Sequence, residues 1–192
     1  MAVSDYTGQA ALTAVDLVNS LDVITGRDRL RDSEDAAALL ARHHWDVGRT
    51  VSAADLERLR RLRPRLRFVF GGTPVQKSVA DLNALLRDLR AQPHLTDHDG
   101  AWHWHYARPR APLGERVATS CVVALLTAIA DGGAGRLRIC EGADCANVFV
   151  DASRPGLRRY CDTKSCGNRA HVTAYRERKR TRSAGWPLPP RT

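Results

Sequence analysis

The sequence predicts a mainly α-helical protein. A helical N-terminal domain with one β-hairpin precedes a small cysteine-containing module, in which a β-hairpin is followed by a basic helix. Three observations support this prediction. Apolar residues recur at helical spacing through most of residues 8–130, and four cysteines form two close pairs within residues 140–166. The third is charge: residues 136–192 hold 13 lysines and arginines against 5 acidic residues, while residues 1–135 hold 17 against 16.

The first two helices are predicted near residues 8–21 and from Ser33 onward. In the first, apolar residues recur as on the buried face of an amphipathic helix: Leu12, Val15, Leu17, Val18 and Leu21. Ser33 is a common N-cap residue, so the second helix is expected to begin there. Its expected buried residues are Ala37, Leu40 and Ala41.

Two further helices are predicted between residues 52 and 90. Ser52 with Asp55 three residues later is a variant of the capping box, and the helix that follows is expected to bury Leu56, Leu59, Leu62, Leu66 and Val69. Pro64 lacks an N–H group and is expected to kink or break it. The next helix, residues 73–90, has Pro74 in its first turn. Its expected buried residues are Val75, Val79, Leu82, Leu86 and Leu89.

Residues 94–107 predict a β-hairpin, because the apolar period there changes to two. Trp102, Trp104 and Tyr106 alternate with histidines, and Asp99-Gly100 precedes them as a turn. We expect the tryptophans to face the core. The histidines of this segment are then expected to line a polar surface, with a second metal site as the alternative: His94, His98, His103 and His105.

A fifth helix is predicted from about residue 113 to residue 130. Its expected buried residues are Val117, Cys121, Val122, Leu125 and Leu126. The three glycines that follow, between residues 132 and 135, predict a short hinge. The predicted domains are therefore 1–134 for the helical body, 135–182 for the cysteine module and 183–192 for a flexible tail.

The composition favours a cytoplasmic protein without a membrane anchor. No apolar run is expected to approach the roughly 20 residues that span a bilayer, and residues 1–9 lack the pattern of a signal peptide. Thiols stay reduced in the cytosol, so grouped cysteines there favour metal binding over disulfides.

Four cysteines predict one structural Zn²⁺ site: Cys140, Cys145, Cys161 and Cys166. Zinc prefers four tetrahedral ligands, and two close pairs brought together by a hairpin can supply them. We expect residues 148–150 as the first strand of that hairpin, residues 153–156 as its turn and residues 157–160 as the returning strand. Two disulfides or unrelated thiols are the alternative. The fifth cysteine, Cys121, is expected to be a buried apolar residue.

Residues 166–169 read Cys-Gly-Asn-Arg, and stretches 140–145, 149–151 and 158–161 accompany them. Together they resemble the CGNR zinc-finger family, with Tyr160 where tryptophan is more often expected. Residues 15–20, Val-Asp-Leu-Val-Asn-Ser, resemble the ABATE-type domain that usually precedes this finger. The resemblance implies a bacterial, stress-induced transcription regulator with a DNA-binding finger.

A basic helix is predicted to begin at the last cysteine and to continue to residue 182. Its cations fall on two stripes, one with Arg169, Arg176 and Arg180, and the other with His171, Arg178 and Arg182; Lys179 belongs to the same basic run. Val172 and Tyr175 are expected to pack back on the zinc hairpin. Such a helix suits the major groove of DNA. A solvated basic tail is the alternative.

The remaining predicted nucleic-acid contacts lie around the zinc site. Four hairpin cations are expected to hold phosphates: Arg154, Arg158, Arg159 and Lys164. Asn168 and Arg169 either contact DNA or support the zinc site through hydrogen bonds. Both roles stay open at this stage.

These patterns favour a zinc-dependent transcription regulator whose helical body dimerises or senses a signal. The partners are double-stranded DNA, a homodimer mate and an unidentified small-molecule ligand. The alternative function is a zinc-stabilised adaptor that binds RNA or a protein, and a third hypothesis is a redox sensor. An enzyme is not expected, because four thiolates leave zinc no open coordination position.

Overall fold

The computed structural model describes residues 5–48, 50–97, 100 and 102–184. In chain order, its elements are α1 (Asp5–Asn19), α2 (Ser33–Arg42), α3 (Ala53–Arg67), α4 (Val75–Asp88), β1 (His94–Thr96), β2 (His103–His105), α5 (Leu113–Gly132), β3 (Leu137–Ile139), β4 (Val148–Val150) and α6 (Asn168–Ala184). The predicted fold class is confirmed. Of the predicted tail, residues 185–192 lie outside the described residues.

The helical body is built around α5. This helix packs against α1, α3 and α4, and Val117, Cys121 and Leu125 on it are completely buried. Among the described residues, one helix is long and apolar enough to cross a membrane, and that helix is α5. This corrects the expectation that no apolar run approaches the length that spans a bilayer. More than half of the most apolar stretch of α5 is buried inside the protein, so its composition is that of a core helix.

The buried faces of α1, α2 and α4 are turned by about one position from the predicted ones. In α1, Leu12 is exposed while Ala10 and Ala14 are buried. In α2, the buried residues are Ala36, Leu39 and Leu40, and in α4 they are Ser78, Leu82 and Leu85. Small residues on each face let neighbouring helices approach closely, and hydrophobic periodicity gives such residues little weight.

The predictions about helix ends are partly confirmed and partly wrong. Ser52 caps α3 as expected, since its side chain accepts a hydrogen bond from the Asp55 N–H. The cap of α2 is Asp32 and not Ser33, because the Asp32 carboxylate accepts from the Asp35 N–H. Pro64 does not end α3, which continues to Arg67. Pro64 cannot donate to the Arg60 carbonyl, and the Arg63 side chain approaches that carbonyl at 3.5 Å.

The first β-hairpin pairs β1 with β2, with His94 opposite His105 and Leu95 opposite Trp104. The prediction that the tryptophans face the core is wrong: Trp102 is 69 % exposed and Trp104 is 52 % exposed. The histidines occupy the inner face instead, where they line a cavity beside α5. A strand alternates its faces, so the inward polar residues force the tryptophans outward. Of the predicted turn Asp99-Gly100, Asp99 lies outside the described residues, and so does His98.

The second hairpin pairs β4 with β3 and not with residues 157–160, which corrects the predicted strand pairing. Leu137 lies opposite Val150, and Ile139 lies opposite Val148. The cysteine loop between these strands closes the hairpin, and Leu137 and Val148 join the main hydrophobic core. Residues 157–160 make only isolated hydrogen bonds to this hairpin, such as that from the Glu141 N–H to the Arg159 carbonyl at 3.0 Å.

Candidate metal centre and basic helix

The first cysteine pair lies on residues 140–147, which we call the knuckle loop because it connects β3 to β4. The Cys140 N–H donates to the Asn147 carbonyl at 2.8 Å, which closes the base of the loop. Within the loop, the Cys145 N–H donates to the Gly142 carbonyl at 3.2 Å. A Cβ atom on Gly142 would lie 3.2 Å from Cys166 Cβ and 3.4 Å from two sulfur atoms. Glycine therefore lets the loop pack directly against the second cysteine pair.

Of the second pair, Cys161 precedes a single helical turn at Thr163–Gly167, and Cys166 lies within that turn. Asp162 organises this turn, because its carboxylate accepts from the Lys164 N–H at 2.8 Å and from the Ser165 hydroxyl at 3.1 Å. α6 begins directly after the turn, at Asn168. The last cysteine and the first residue of the basic helix are therefore held in one rigid turn.

The four sulfur atoms of the cysteines come together in one cluster. All four lie within 4.8 Å of one another, and the Cys145–Cys161 and Cys161–Cys166 sulfur pairs are each 3.8 Å apart. Zinc–sulfur bonds of about 2.3 Å in a tetrahedron give sulfur–sulfur distances of about 3.8 Å. The cluster thus fits one zinc ion, and the predicted cofactor is confirmed. Among the described residues, no other group of three or more potential ligands is gathered in this way.

Hydrogen-bond donors surround the sulfur atoms of the cluster. The N–H groups of Gly142 and Cys161 donate to Cys140 Sγ at 3.4 and 3.3 Å, and the Asn147 amide lies 4.0 Å from Cys161 Sγ. Such donors stabilise thiolates and fix their orientation around a metal. Zinc bound here has its coordination shell closed by cysteines, which is typical of structural sites.

Arg169 contacts the cluster directly. Its guanidinium donates to Cys166 Sγ at 3.2 Å, and this contact raises the pKa of Arg169. Burial acts to raise the pKa of the Cys166 thiol, but hydrogen bonds from the other cysteines and from Arg169 outweigh it, and the net pKa is lowered. Of the two roles foreseen for Arg169, the geometry favours support of the zinc site. Asn168, at the start of α6, is exposed.

The four predicted hairpin cations differ in what their side chains contact. Arg158 donates to the Tyr160 carbonyl at 2.8 Å and to the Cys161 carbonyl, and it lies over the Phe149 ring. Arg159 pairs with Glu141 at 2.6 Å. Arg154 and Lys164 are exposed. Arg154 and Lys164 are therefore better placed for phosphate contact than Arg158, whose donors are used inside the finger.

α6 projects from the zinc site with its described side chains almost entirely exposed. Val172 is 40 % exposed and Tyr175 is 61 % exposed, so the prediction that they pack on the zinc hairpin is wrong. Among the described side chains of α6, only those of Ala170 and Ala174 are half-buried. The Arg182 side chain lies outside the described residues.

Asn19, at the end of α1, connects the zinc hairpin to the helical body, and sequence reasoning missed this role. Its amide donates to the Val148 carbonyl at 2.9 Å, and its oxygen accepts from the Val148 N–H at 2.8 Å. Arg67 adds a hydrogen bond to the Ala146 carbonyl at 2.7 Å. The only signal in the sequence was the position of Asn19 inside the ABATE-like stretch of residues 15–20.

The body also packs against the backbone of β3. The Gly71 N–H donates to the Leu137 carbonyl at 3.2 Å. Gly71 has a φ of +79°, and a Cβ atom there would lie 2.4 Å from Ile139 Cδ1. Glycine is required here both for its backbone conformation and for the close approach of the hairpin.

Two further predictions concern Cys121 and the histidines considered for a second metal site. Cys121 is completely buried in α5, as expected, and burial raises the pKa of its thiol. Of the histidines considered for a second metal site, His103 and His105 have their Nε2 atoms 3.1 Å apart, but no three-ligand group forms there among the described residues. His98 lies outside them.

Comparison with known families gives two matches, in the predicted order. Residues 12–132 match the ABATE family, described as a putative stress-induced transcription regulator. Residues 136–179 match the CGNR zinc finger and include all four cysteines of the cluster. No curated protein matches the chain significantly.

Proposed function

The chain belongs to the ABATE family, and from that membership we propose that it regulates transcription by binding duplex DNA through α6. The observation that carries this proposal is the exposed basic helix attached to the zinc cluster. Arg176, Arg178 and Arg180 have no ion pair or side-chain hydrogen bond to any other described residue. Unpaired arginines on an exposed helix favour a polyanionic partner.

Zinc would fix the position from which α6 reaches DNA. Cys166 is part of the turn that precedes the helix, and Asn168 is the first helical residue. An α-helix with side chains is about 10–12 Å across, close to the width of the major groove. Because the metal holds the start of the helix, little conformational entropy remains to be lost when the helix enters the groove.

The electrostatic surroundings differ between the two stripes of α6. The stripe with Arg169 and Arg176 borders a groove beside the knuckle loop, and that groove also contains Glu141 and Asp144. His171 and Arg178 lie on the opposite side of the helix, away from these carboxylates. We therefore place DNA against the side of α6 that carries His171 and Arg178, away from Glu141 and Asp144.

The test begins with selection of a preferred duplex from a random pool by the zinc-loaded full chain. Fluorescence anisotropy at about 150 mM salt then compares this duplex with a scrambled duplex and with single-stranded RNA. We expect a preference of about a thousandfold or more for the selected duplex. Equal, weak binding to all three polyanions would overturn the proposal and favour an electrostatic or adaptor role.

Two matched variants test the orientation of α6. Arg178→Gln and Arg176→Gln each remove one positive charge from an exposed position of the same helix. Loss of a base contact costs about 1–3 kcal/mol, so Arg178→Gln is expected to weaken specific binding about 5- to 150-fold. Arg176→Gln is expected to have a smaller effect. The reverse order would place DNA on the knuckle-loop side.

Homodimerisation is part of the proposal, because a two-fold protein reads a palindromic site with two identical helices. A cytoplasmic location and the absence of enzymatic activity likewise remain predictions. Sedimentation of the zinc-loaded protein with and without the selected duplex measures the number of chains bound per site.

A further inference from the structure

The cavity beside the first hairpin lies in the helical body, and neither the zinc cluster nor α6 contributes to it. It has a volume of about 470 Å³ and lies between α1, the segment that follows α2, the hairpin and α5. Cavities that bind small molecules measure about 300–1,000 Å³. The size alone therefore permits a small organic ligand.

Arginine and histidine side chains are concentrated around this cavity. Three arginines and five histidines line it, namely Arg108, Arg110, Arg116, His43, His44, His94, His103 and His105. Asp46 is the one acidic residue among its described lining. Arg108 is already paired with Glu115 through two hydrogen bonds, at 2.7 and 3.1 Å. Arg110 and Arg116 are thus the arginines that remain for a ligand.

Arg116 has an unmet hydrogen-bonding requirement. Its Nε atom is buried and has no partner among the described residues, and its terminal nitrogen reaches the Asp46 carbonyl only at a long 3.4 Å. A buried donor without an acceptor costs free energy, and such atoms are rare in native structures. An anionic oxygen in the cavity would supply the missing acceptor.

The backbone around the cavity is strained at two residues that line it. His44 has a φ of 59° and Arg110 has a φ of 60°, in the left-handed region that side chains disfavour. Each such residue costs about 1–3 kcal/mol, and strain of this kind concentrates at ligand clamps. Arg110 lines the cavity with an exposed side chain.

Aromatic and imidazole rings complete the walls. Trp45 and Tyr106 line the cavity, and the Trp45 indole is oriented by its hydrogen bond to the Thr13 hydroxyl at 3.0 Å. His103 and His105 line the cavity from one face of β2, and their Nε2 atoms contact each other at 3.1 Å. The walls therefore offer flat apolar surface next to the two arginines.

We propose that this cavity binds a small organic anion with an aromatic body and a carboxylate or phosphate group. Arg116 and Arg110 hold the anionic group, and the ring of Trp45 packs against the ligand body. The class of ligand follows from the wall: two available guanidinium groups select negative charge, and the aromatic residues select a flat apolar body.

Isothermal titration of the zinc-loaded full chain tests the proposal with benzoate and phenyl phosphate as anionic probes and benzyl alcohol as the neutral control. We expect at least one anion to bind with a Kd below about 10 mM and the alcohol not to bind. A stronger signal with one anion than the other identifies the carboxylate or the phosphate as the preferred group. No binding of either anion, or equal binding of the alcohol, would overturn the proposal.

Arginine variants locate the binding site. Arg116→Gln is expected to weaken binding of the anion about tenfold, and Arg110→Gln, at an exposed position, repeats the test if Arg116→Gln does not fold. Arg87→Gln, an exposed position on α4, is the matched control and is expected to bind as the wild type does. Equal weakening in all three variants would mean nonspecific attraction and would overturn the proposal. The titration contains no DNA, so its result is independent of the proposed function.

Discussion

Replacing Asn19 with alanine is expected to weaken the attachment of the zinc hairpin to the helical body. In the structure, the Asn19 side chain makes two hydrogen bonds with the backbone of Val148, at 2.9 and 2.8 Å. Val148 is completely buried, so both of its backbone groups would lose their partner in the variant. Each unpaired buried group costs about 1–3 kcal/mol, and a total of about 2–4 kcal/mol allows for water entering the space.

Thermal unfolding of the zinc-loaded protein, followed by circular dichroism, measures this loss. For a chain of this length, 1 kcal/mol shifts Tm by about 2–4 °C, so Asn19→Ala is expected to lower Tm by about 4–16 °C. Asn83→Ala makes the same substitution at an exposed position on α4 and is the control. Its expected effect is within about 0.5 kcal/mol of zero.

Asn19→Asp makes the test more specific, because it keeps an acceptor for the Val148 N–H but loses the donor to the Val148 carbonyl. Its Tm is expected to lie at or below that of Asn19→Ala, because the carboxylate oxygen that replaces the amide nitrogen repels the Val148 carbonyl oxygen. If Asn19→Ala and Asn83→Ala melt at the same temperature, the two hydrogen bonds do not contribute to the attachment of the hairpin, and the reasoning is refuted.

Three further predictions concern the cluster and the body. Cys166→Ala is expected to lose zinc, whereas Cys121→Ala, in the core, is expected to retain one zinc per chain by atomic absorption; zinc loss in both would contradict the assigned site. Arg169→Gln is expected to weaken zinc binding about 10–100-fold in chelator competition, and unchanged affinity would return Arg169 to a DNA contact. Hydrogen bonds from Arg63 lower the pKa of Asp28, so its stabilising effect is present above about pH 4 and lost as the pH falls through the lowered pKa. Urea unfolding should therefore show Asp28→Asn less stable near neutral pH and less sensitive to acid than the wild type; parallel pH profiles would count against this pair.

The helix α3 shows what local sequence could predict. Its start at Ser52 depends on a capping interaction within four residues, and its buried leucines follow the helical period. The rotated faces of α1, α2 and α4 show the limit. Small buried residues such as Ala36 and Ser78 lie where a neighbouring helix approaches closely. The hydrophobic period of a single helix carries no information about that approach.

The cysteine spacing by itself determined the zinc cluster, because two close pairs leave a metal few alternative ligands and the required chemistry is local to the thiols. The surroundings of the cluster, and the buried face of the first hairpin, depend on tertiary packing. Three features show this: the partner strand β3, the hydrogen bonds of Asn19 to Val148, and the inward histidines of the first hairpin. Each of them joins segments far apart in the chain or depends on which of two faces is buried. Packing of the whole molecule makes that choice, since either face of a short strand satisfies its own backbone equally well.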